Sequence, residues 1–235
     1  MGRAASAAFS PGTQETRLAR VPLAPQREQH CDQALQSIMR LLVFSDIHGD
    51  RRALEKLVAT EADHYFAAGD LATWGRGLDE AGPILQQRAE RMHVLPGNHE
   101  SLTDTERLCA KYGLDSFHER AMQLDGYWIA GLGYSNPTPF NTPGEYSEEE
   151  LAERLAKFAA LDPLILICHA PPKGTALDEI RHGLHAGSTA VREFIDHHQP
   201  RWFFCGHIHE GAGRTIEMGA THAVNVGRKG YLLEL

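Results

Sequence analysis

Apolar residues fall into two spacings along this chain, and the spacings sort it into elements. Short runs, apolar but for Ser45 and His93, occupy residues 41–45, 65–68, 92–95, 164–168 and 202–205. Runs of this length without polar alternation suit strands buried on both faces, under helices. Between them, apolar residues recur every three or four positions. In 51–60, Leu54, Leu57 and Val58 share one helical face. Residues 78–90 also read as helix, with Gly82-Pro83 as the weak point. Ser101 and Asp104 precede a helix predicted over about 105–112. Ser147 with Glu150 makes a capping-box pattern for a helix running to about residue 160, and 188–198 is a further helix stopped by Pro200. Asp125-Gly126, between apolar runs at 121–124 and 127–132, is a hairpin signal. Residues 135–144 are a Pro/Asn/Thr loop, and 214–218, 222–226 and 231–235 read as closing strands.

The first half therefore alternates strand and helix, while the second is richer in strands and leans antiparallel. An α/β fold is expected, with two sheets packed face to face and helices outside. At 235 residues, 42% hydrophobic and 23% charged, the chain suits one soluble domain with a sizeable core. Residues 1–38 differ from the rest. They are rich in Ala, Arg, Gln, Ser and Pro, lack periodicity until about Ala34, and contain no secretory apolar core. Arg3, Arg17, Arg20 and Arg27 with little acid give a faint transit-peptide character. A disordered tail and an over-extended start are the other readings, because Met39 leads straight into the first strand. The expectation is a disordered, non-catalytic extension over 1–38 and the functional domain over 39–235.

Charge and cysteine narrow the setting. Lys and Arg number 23 against 31 Asp and Glu, a net charge of -8. That argues against a broad nucleic-acid-binding face, though not against a small anionic substrate held by metal ions. No apolar stretch reaches 18 residues, so no membrane span is expected. Cys31, Cys109, Cys168 and Cys205 form no CxxC and no zinc-finger spacing. Cys168 and Cys205 lie inside apolar runs and read as small buried hydrophobes, which fits a reducing, cytoplasmic setting.

Five short polar islands follow the ends of strands: Asp46-Ile47-His48, Gly69-Asp70, Gly97-Asn98-His99-Glu100, His169, and Gly206-His207-Ile208-His209. Singly, each has an ordinary structural explanation; a lone Asn98 after Gly97 is a turn residue, and a lone His169 a core histidine. Jointly, they supply carboxylate, amide and imidazole donors with no thiolate. Ligands gather where strands of such sheets end. Two metal ions about 3.5–4 Å apart can activate water and neutralise a phosphoryl group. Asp70 is the choice for a bridging carboxylate. Asp46, His48 and His209 would complete one ion, and Asn98, His169 and His207 the other. His207 and His209, alternating on an extended segment, would point the same way. His99 is assigned as general acid or as a donor to the phosphoryl oxygen, and Glu100 as a residue that orients the turn. Nitrogen and oxygen donors favour Mn²⁺, with Fe or Zn²⁺ as alternatives. The remaining histidines are expected mostly at the surface, His185 and His222 being the two to check for proximity.

These islands resemble the motif set of the calcineurin-like metallophosphoesterase superfamily, and every metal-ligand position of that set is filled between Met39 and Leu235. The resemblance implies a four-layer sandwich of two mixed sheets flanked by helices. Thr73 stands where purple acid phosphatases carry a Tyr, and Thr73-Trp74 replaces the Asp-Arg of Ser/Thr protein phosphatases. The pattern looks most like the Icc-related and class III phosphodiesterase branch. Residues 133–139 (Gly-Tyr-Ser-Asn-Pro-Thr-Pro) also look like a segment of that group, so Ser135, Asn136 and Thr138 are candidates for substrate contact.

The expected function is hydrolysis of small phosphodiesters by attack of a metal-bridging hydroxide on phosphorus. Phosphomonoesterase action is the main alternative. A non-catalytic binding module on the same fold would be expected to lack several ligands, and none is missing. A lipid-headgroup hydrolase would need an exposed amphipathic helix, and neither 78–90 nor 188–198 looks like one.

Overall fold

The computed structural model describes residues 1–2 and 38–235. The extension expected over 1–38 thus lies outside the described residues, apart from its ends. In chain order the elements are β1 (Arg40–Phe44), α1 (Arg51–Ala59), β2 (His64–Ala68), α2 (Leu78–Leu85), β3 (Met92–Leu95), α3 (Leu102–Tyr112), β4 (Asp115–Ser116), β5 (Arg120–Leu124) and β6 (Tyr127–Leu132). They continue with α4 (Glu148–Ala156), β7 (Leu164–Cys168), β8 (Glu179–Arg181), β9 (Leu184–His185), α5 (Thr189–His198), β10 (Trp202–Cys205), β11 (Thr215–Met218), β12 (Thr221–Asn225) and β13 (Tyr231–Glu234).

Two mixed sheets form the centre. One has the order β13-β1-β2-β3-β4, the other β11-β12-β10-β7-β6-β5. The antiparallel lean expected of the second half is confined to sheet edges and one small pair: β6, β7, β10 and β12 run parallel, β5 and β11 pair antiparallel at the rims of their sheet, β13 does so at the rim of the other, and β8 pairs antiparallel with β9. The helices that separate those parallel strands, α4 and α5, supply the crossovers that parallel pairing requires.

Alternation within the apolar strands builds three stacked cores. Leu42 and Phe44 face α1 and α2, whereas Leu41 and Val43 face the opposite sheet. In the second sheet, Leu166 and Cys168 face α4 and α5, whereas Ile165 and Ile167 meet the first sheet. A strand flanked on both faces needs no polar positions, which is why these runs are unbroken. The result is a helix–sheet–sheet–helix sandwich, the four-layer arrangement that the sequence resemblance implied. Among the described residues no helix is long and apolar enough to cross a membrane.

Local chemistry sets the boundaries. Asp50, Ser101, Ser147 and Ser188 cap α1, α3, α4 and α5 through side-chain oxygens that accept backbone N–H groups. Ser147 and Glu150 form the full capping box. Because Ser101 is itself the cap, α3 starts at Leu102, earlier than the sequence pattern placed it. Asp125 and Gly126 both adopt positive φ, 46° and 82°, as the tight β5–β6 hairpin requires. The helix predicted over 78–90 is shorter: α2 ends at Leu85 and a 3-10 segment follows. Pro83 lies inside it and cannot donate to the carbonyl of Asp79. Tyr112 Oη donates to that carbonyl instead, at 3.3 Å.

Two histidines expected at the surface are buried. His93 Nδ1 lies 2.8 Å from Asp115 Oδ2, with Nε2 3.0 Å from His64 Nδ1. His118 Nδ1 accepts from Gly133 N, and burial pushes its pKa down to about 4, so the ring stays neutral. Cys109, Cys168 and Cys205 are buried and free, as expected of small hydrophobes.

Gly82 lies flat against Tyr112, and a methyl group there would overlap its ring. Gly82→Ala is therefore expected to destabilise by about 1–3 kcal/mol through overpacking. In an open helix the same change would stabilise by up to about 1 kcal/mol. A urea midpoint that rises in the variant would sink this packing account.

Candidate metal centre

Five parallel strands end at one level, and each releases a polar residue there. Strands β1, β2 and β3 are neighbours in the first sheet and lead into Asp46, Asp70 and Asn98. Strands β7 and β10 are neighbours in the second and lead into His169 and His207. Pairing continues into the loops: Asp46 N donates to Gly69 O, His48 N to Asp70 O, and Gly206 N to His169 O. Asp46, His48, Asp70 and His207 all adopt positive φ, between 46° and 68°. Non-glycine residues seldom hold this conformation unless the surroundings dictate it, and it concentrates at functional sites.

A deep group gathers around Asn98. Its Oδ1 lies 3.1 Å from His169 Nε2 and 2.8 Å from His207 Nδ1. Thr142 Oγ1 accepts from Asn98 Nδ2, which turns the amide oxygen toward the histidines. His169 Nδ1 is 2.8 Å from the carbonyl of Ala68. A carbonyl only accepts, so Nδ1 carries a proton and Nε2 is the atom that faces inward, available to a metal that displaces its proton. Asp70, His169 and His207 present ligand atoms within 4.8 Å of one another.

A more open group holds Asp46, His48 and His209, whose ligand atoms meet the same 4.8 Å criterion. His48 Nε2 and His209 Nε2 face each other at 3.0 Å. His48 Nδ1 lies 3.1 Å from Thr73 Oγ1, so Thr73 orients this ring rather than acting as a ligand. Asp70 Oδ2 stands between the groups, 3.7 Å from His48 Nε2 and 3.4 Å from His169 Nε2. His207 is not on an extended segment, as the alternation argument assumed: its φ is 68°, and His209 opens a 3-10 turn. Both rings nonetheless reach the cluster, one in each group. Asn225 Nδ2 holds that loop by donating to Gly206 O and Ile208 O. The sequence reading missed this buried Asn; its place at the end of a buried strand, like the islands, was the available signal.

His99 stands beside His48 and Asp70. Its backbone N donates to Asp70 Oδ1 at 2.9 Å, and its Nδ1 faces the N–H of Trp74 at 3.4 Å. An acceptor role for Nδ1 puts the ring proton on Nε2. Glu100 does orient its turn, and more. Oε2 accepts from Asp70 N and Gly97 N, and Oε1 from Ala72 N.

The electrostatics call for positive charge. Burial disfavours ionisation of Asp70, yet His169 beside it holds the carboxyl well below the usual range. Burial likewise disfavours a charged His169, but Asp70 outweighs this and raises it to about 9. Burial, and then the His169 charge, push His207 down to about 4. Burial, and then Asp70, push Glu100 up to about 8. A pocket that draws a proton onto a fully buried imidazole offers the same attraction to a cation. Imidazole, carboxylate and amide donors converging at these distances fit divalent transition metals.

A cavity of about 710 Å³ opens over the outer group, bordered by His48, His99, His209, Thr73, Arg228 and Lys229. Ser135, Asn136 and Thr138 do not border it. Ser135 Oγ donates to Asn136 O, Asn136 Nδ2 to Ala186 O, and Thr138 Oγ1 to Glu145 Oε1. Their loop instead braces the cluster, since Gly144 N donates to Asn98 O and Thr142 supports Asn98 Nδ2. His185 pairs with Asp178 and His222 with Glu217, so neither joins the cluster. The sequence reading also missed Arg228 and Lys229, because nothing short of the closed fold brings that turn to β1.

Comparison with known proteins agrees with this architecture. Residues 39–211 match the family described as calcineurin-like phosphoesterase. The uncharacterized protein MJ1162 of Methanocaldococcus jannaschii is 32% identical over 204 residues, spanning 83% of this chain and 91% of that one. The crystal structure of TT1561 from Thermus thermophilus shares the fold, with a TM-score of 0.64 at 22% identity, covering 84% of this chain and 99% of that one. The phosphopantetheinyl hydrolase PptH of Mycobacterium tuberculosis is similar in fold at a TM-score of 0.58 and 17% identity, covering 81% and 89%.

Glu100→Gln replaces one acceptor oxygen with an NH₂ group, so at least one buried N–H must go unpaired. An orphaned donor of this kind costs about 1–3 kcal/mol. The variant should lose that much stability when metal-free and bind less metal when loaded. Denaturation and elemental analysis check both; wild-type values in the two assays would refute the clamp.

Proposed function

Because the chain belongs to the calcineurin-like phosphoesterase family, we propose that it hydrolyses small phosphodiesters at the strand-end cluster. At the family level it is a metal-dependent phosphoester hydrolase with His/Asp groups able to hold ions. In this reading Asp46, His48 and His209 hold one divalent ion, and Asn98, His169 and His207 hold the other. Asp70 Oδ2, facing both groups, joins them. Two such ions neutralise phosphoryl charge and lower the pKa of bound water to about 7. The donor set, free of thiolate, favours Mn²⁺, with Fe or Zn²⁺ as alternatives.

The protein's own groups do the rest. Thr73, Ala68 and Thr142 fix His48, His169 and Asn98, so little reorganisation accompanies binding. His99 lines the cavity and, with Nδ1 facing the Trp74 N–H, offers its Nε2–H as a hydrogen-bond donor to the phosphoryl or leaving oxygen; to act as general acid it would first need a second proton, on Nδ1. The observation that carries the reading is the convergence of seven donor residues from five strand ends, with ring nitrogens and carboxylate oxygens turned inward. Support for a diester comes from the cavity, which extends well beyond the cluster and has room for a second ester substituent.

The Mn²⁺-loaded protein is expected to cleave bis-p-nitrophenyl phosphate faster than p-nitrophenyl phosphate. Asp70→Asn should reduce that rate by more than the about 10–100-fold typical of outer-shell changes. Faster monoester cleavage would instead make the protein a phosphomonoesterase, and no cleavage of either would refute the hydrolytic reading. Wild-type turnover in Asp70→Asn would remove that residue from the joining role.

His99→Ala should keep its metal content and slow turnover by about 10²–10⁴-fold, most for poor leaving groups. A fall in metal content would make His99 a ligand, a role its place beside His48 and Asp70 also permits.

A further inference from the structure

The cavity over the cluster is acidic and imidazole-rich at one end and basic at the other. Arg228 and Lys229 form the basic end, on the 3-10 turn Gly227–Lys229. A second cavity of about 420 Å³ adjoins the first and shares Asp50, Arg228 and Lys229 with it. Arg52 and Lys56 of α1 line this second cavity. Four cations therefore face one acid, Asp50, in a chain whose net charge is -8.

Little of that positive charge is neutralised. Arg228 Nη1 reaches Asp50 Oδ2 only at 3.8 Å, and Asp50 already accepts from Ala53 N as the cap of α1. Among the described residues, Lys229, Arg52 and Lys56 make no ion pair. The basic turn is also held at a fixed place relative to the cluster. Gly227 O accepts from Ser45 N, one residue before Asp46, and from Gly230 N. Gly227 and Gly230 take positive φ of 46° and 71°, which suits a tight turn. A guanidinium fork and an ammonium group, carried on an anchored turn beside the cluster, match a second phosphate.

Building on the phosphoesterase reading, we propose that the site takes nucleotide-sized phosphoesters bearing a second phosphate group, and that Arg228 and Lys229 hold that second phosphate. They act as specificity residues: they set which ester is bound, while the cluster acts on the other phosphate. Arg52 and Lys56 extend the positive field along the adjoining cavity. The 710 Å³ cavity is within the range of about 300–1,000 Å³ usual for small-ligand sites.

Calorimetric titration of the full-length, Mn²⁺-loaded protein tests this without turnover, using adenosine 3′,5′-bisphosphate and adenosine 5′-monophosphate as probes. The wild type should bind the bisphosphate about tenfold or more tightly than the monophosphate, as one added charge-assisted contact implies. In Arg228→Ala/Lys229→Ala that ratio should fall close to one. Arg107→Ala/Lys111→Ala, on α3, removes the same charge elsewhere and should keep the ratio. Equal binding of both probes by the wild type, no binding of either, or a ratio preserved in the Arg228→Ala/Lys229→Ala variant would each overturn the proposal. If that variant misfolds, Arg228→Gln/Lys229→Gln and the wild-type ratio decide. Failure to cleave either p-nitrophenyl ester alongside a tenfold binding ratio would count against the hydrolytic reading alone, so the two failures are distinguishable.

Discussion

Glycine at positions 69 and 97 lets two loops touch, and the cluster depends on that touch. A side chain at Gly97 would occupy the space of the Asp70 carboxylate, and one at Gly69 would overlap Gly97 and the His169 ring. Glu100 closes the contact by accepting N–H groups from both loops, at Asp70 and Ala72 on one side and Gly97 on the other. A buried carboxylate that accepts three backbone donors is costly to place and costly to disturb. Asp70, Asn98 and His99 take their positions from it. Across the interface the same logic recurs at Gly206, where a side chain would collide with Ser45 and Asp46. Close backbone approach, not any single strong bond, brings ligands from two sheets within reach of one another.

That approach concentrates charge. Asp46 and Asp70 are buried carboxylates kept ionised chiefly by neighbouring histidines against the pull of burial. Without a cation, His169 carries the compensating proton. The facing ring nitrogens of His48 and His209 and the inward amide oxygen of Asn98 add to the demand for positive charge. The strain at Asp46, His48, Asp70 and His207, all at positive φ, belongs to the same account. The sandwich around the cluster, with three separate apolar cores, over-determines these loops and can hold them in a sparsely populated conformation.

The sequence was most legible where one residue type has one physical use. Short apolar runs located β1, β2, β3, β7 and β10, because only strands covered on both faces omit polar alternation. The five polar islands were legible for the same reason: each interrupts an apolar run where a sheet places its ligands. Side-chain caps marked two helix starts, at Ser101 and Ser147. What escaped was whatever depends on partners distant in sequence. Thr73 read only as a departure from relatives, yet it orients His48 across the loop. Asn225 is 18 residues past His207 and secures its loop from another strand. Ser135 and Asn136 attracted attention as loop polars but are spent on the protein's own backbone. Net charge pointed away from a broad nucleic-acid face but was silent on local basic patches, because a total cannot reveal that Arg52, Lys56, Arg228 and Lys229 line one cavity.

That gathering has a consequence for how the two ends of the cavity divide their work. In the proposed reading, two bound divalent ions would attract the phosphoryl group of a monoester or a diester. Selectivity must then come from groups outside the cluster, fixed at a set distance from it. The hydrogen bond from Ser45 N to Gly227 O supplies that fixed distance, since Ser45 adjoins a ligand and Gly227 adjoins the basic pair. A flexible loop would pay backbone as well as side-chain ordering entropy for each contact, whereas a turn anchored to β1 leaves only the side-chain cost. Discrimination by a second anchored charge therefore requires no movement of the catalytic end, and substrate choice can change at Arg228 and Lys229 while the ligands stay as they are.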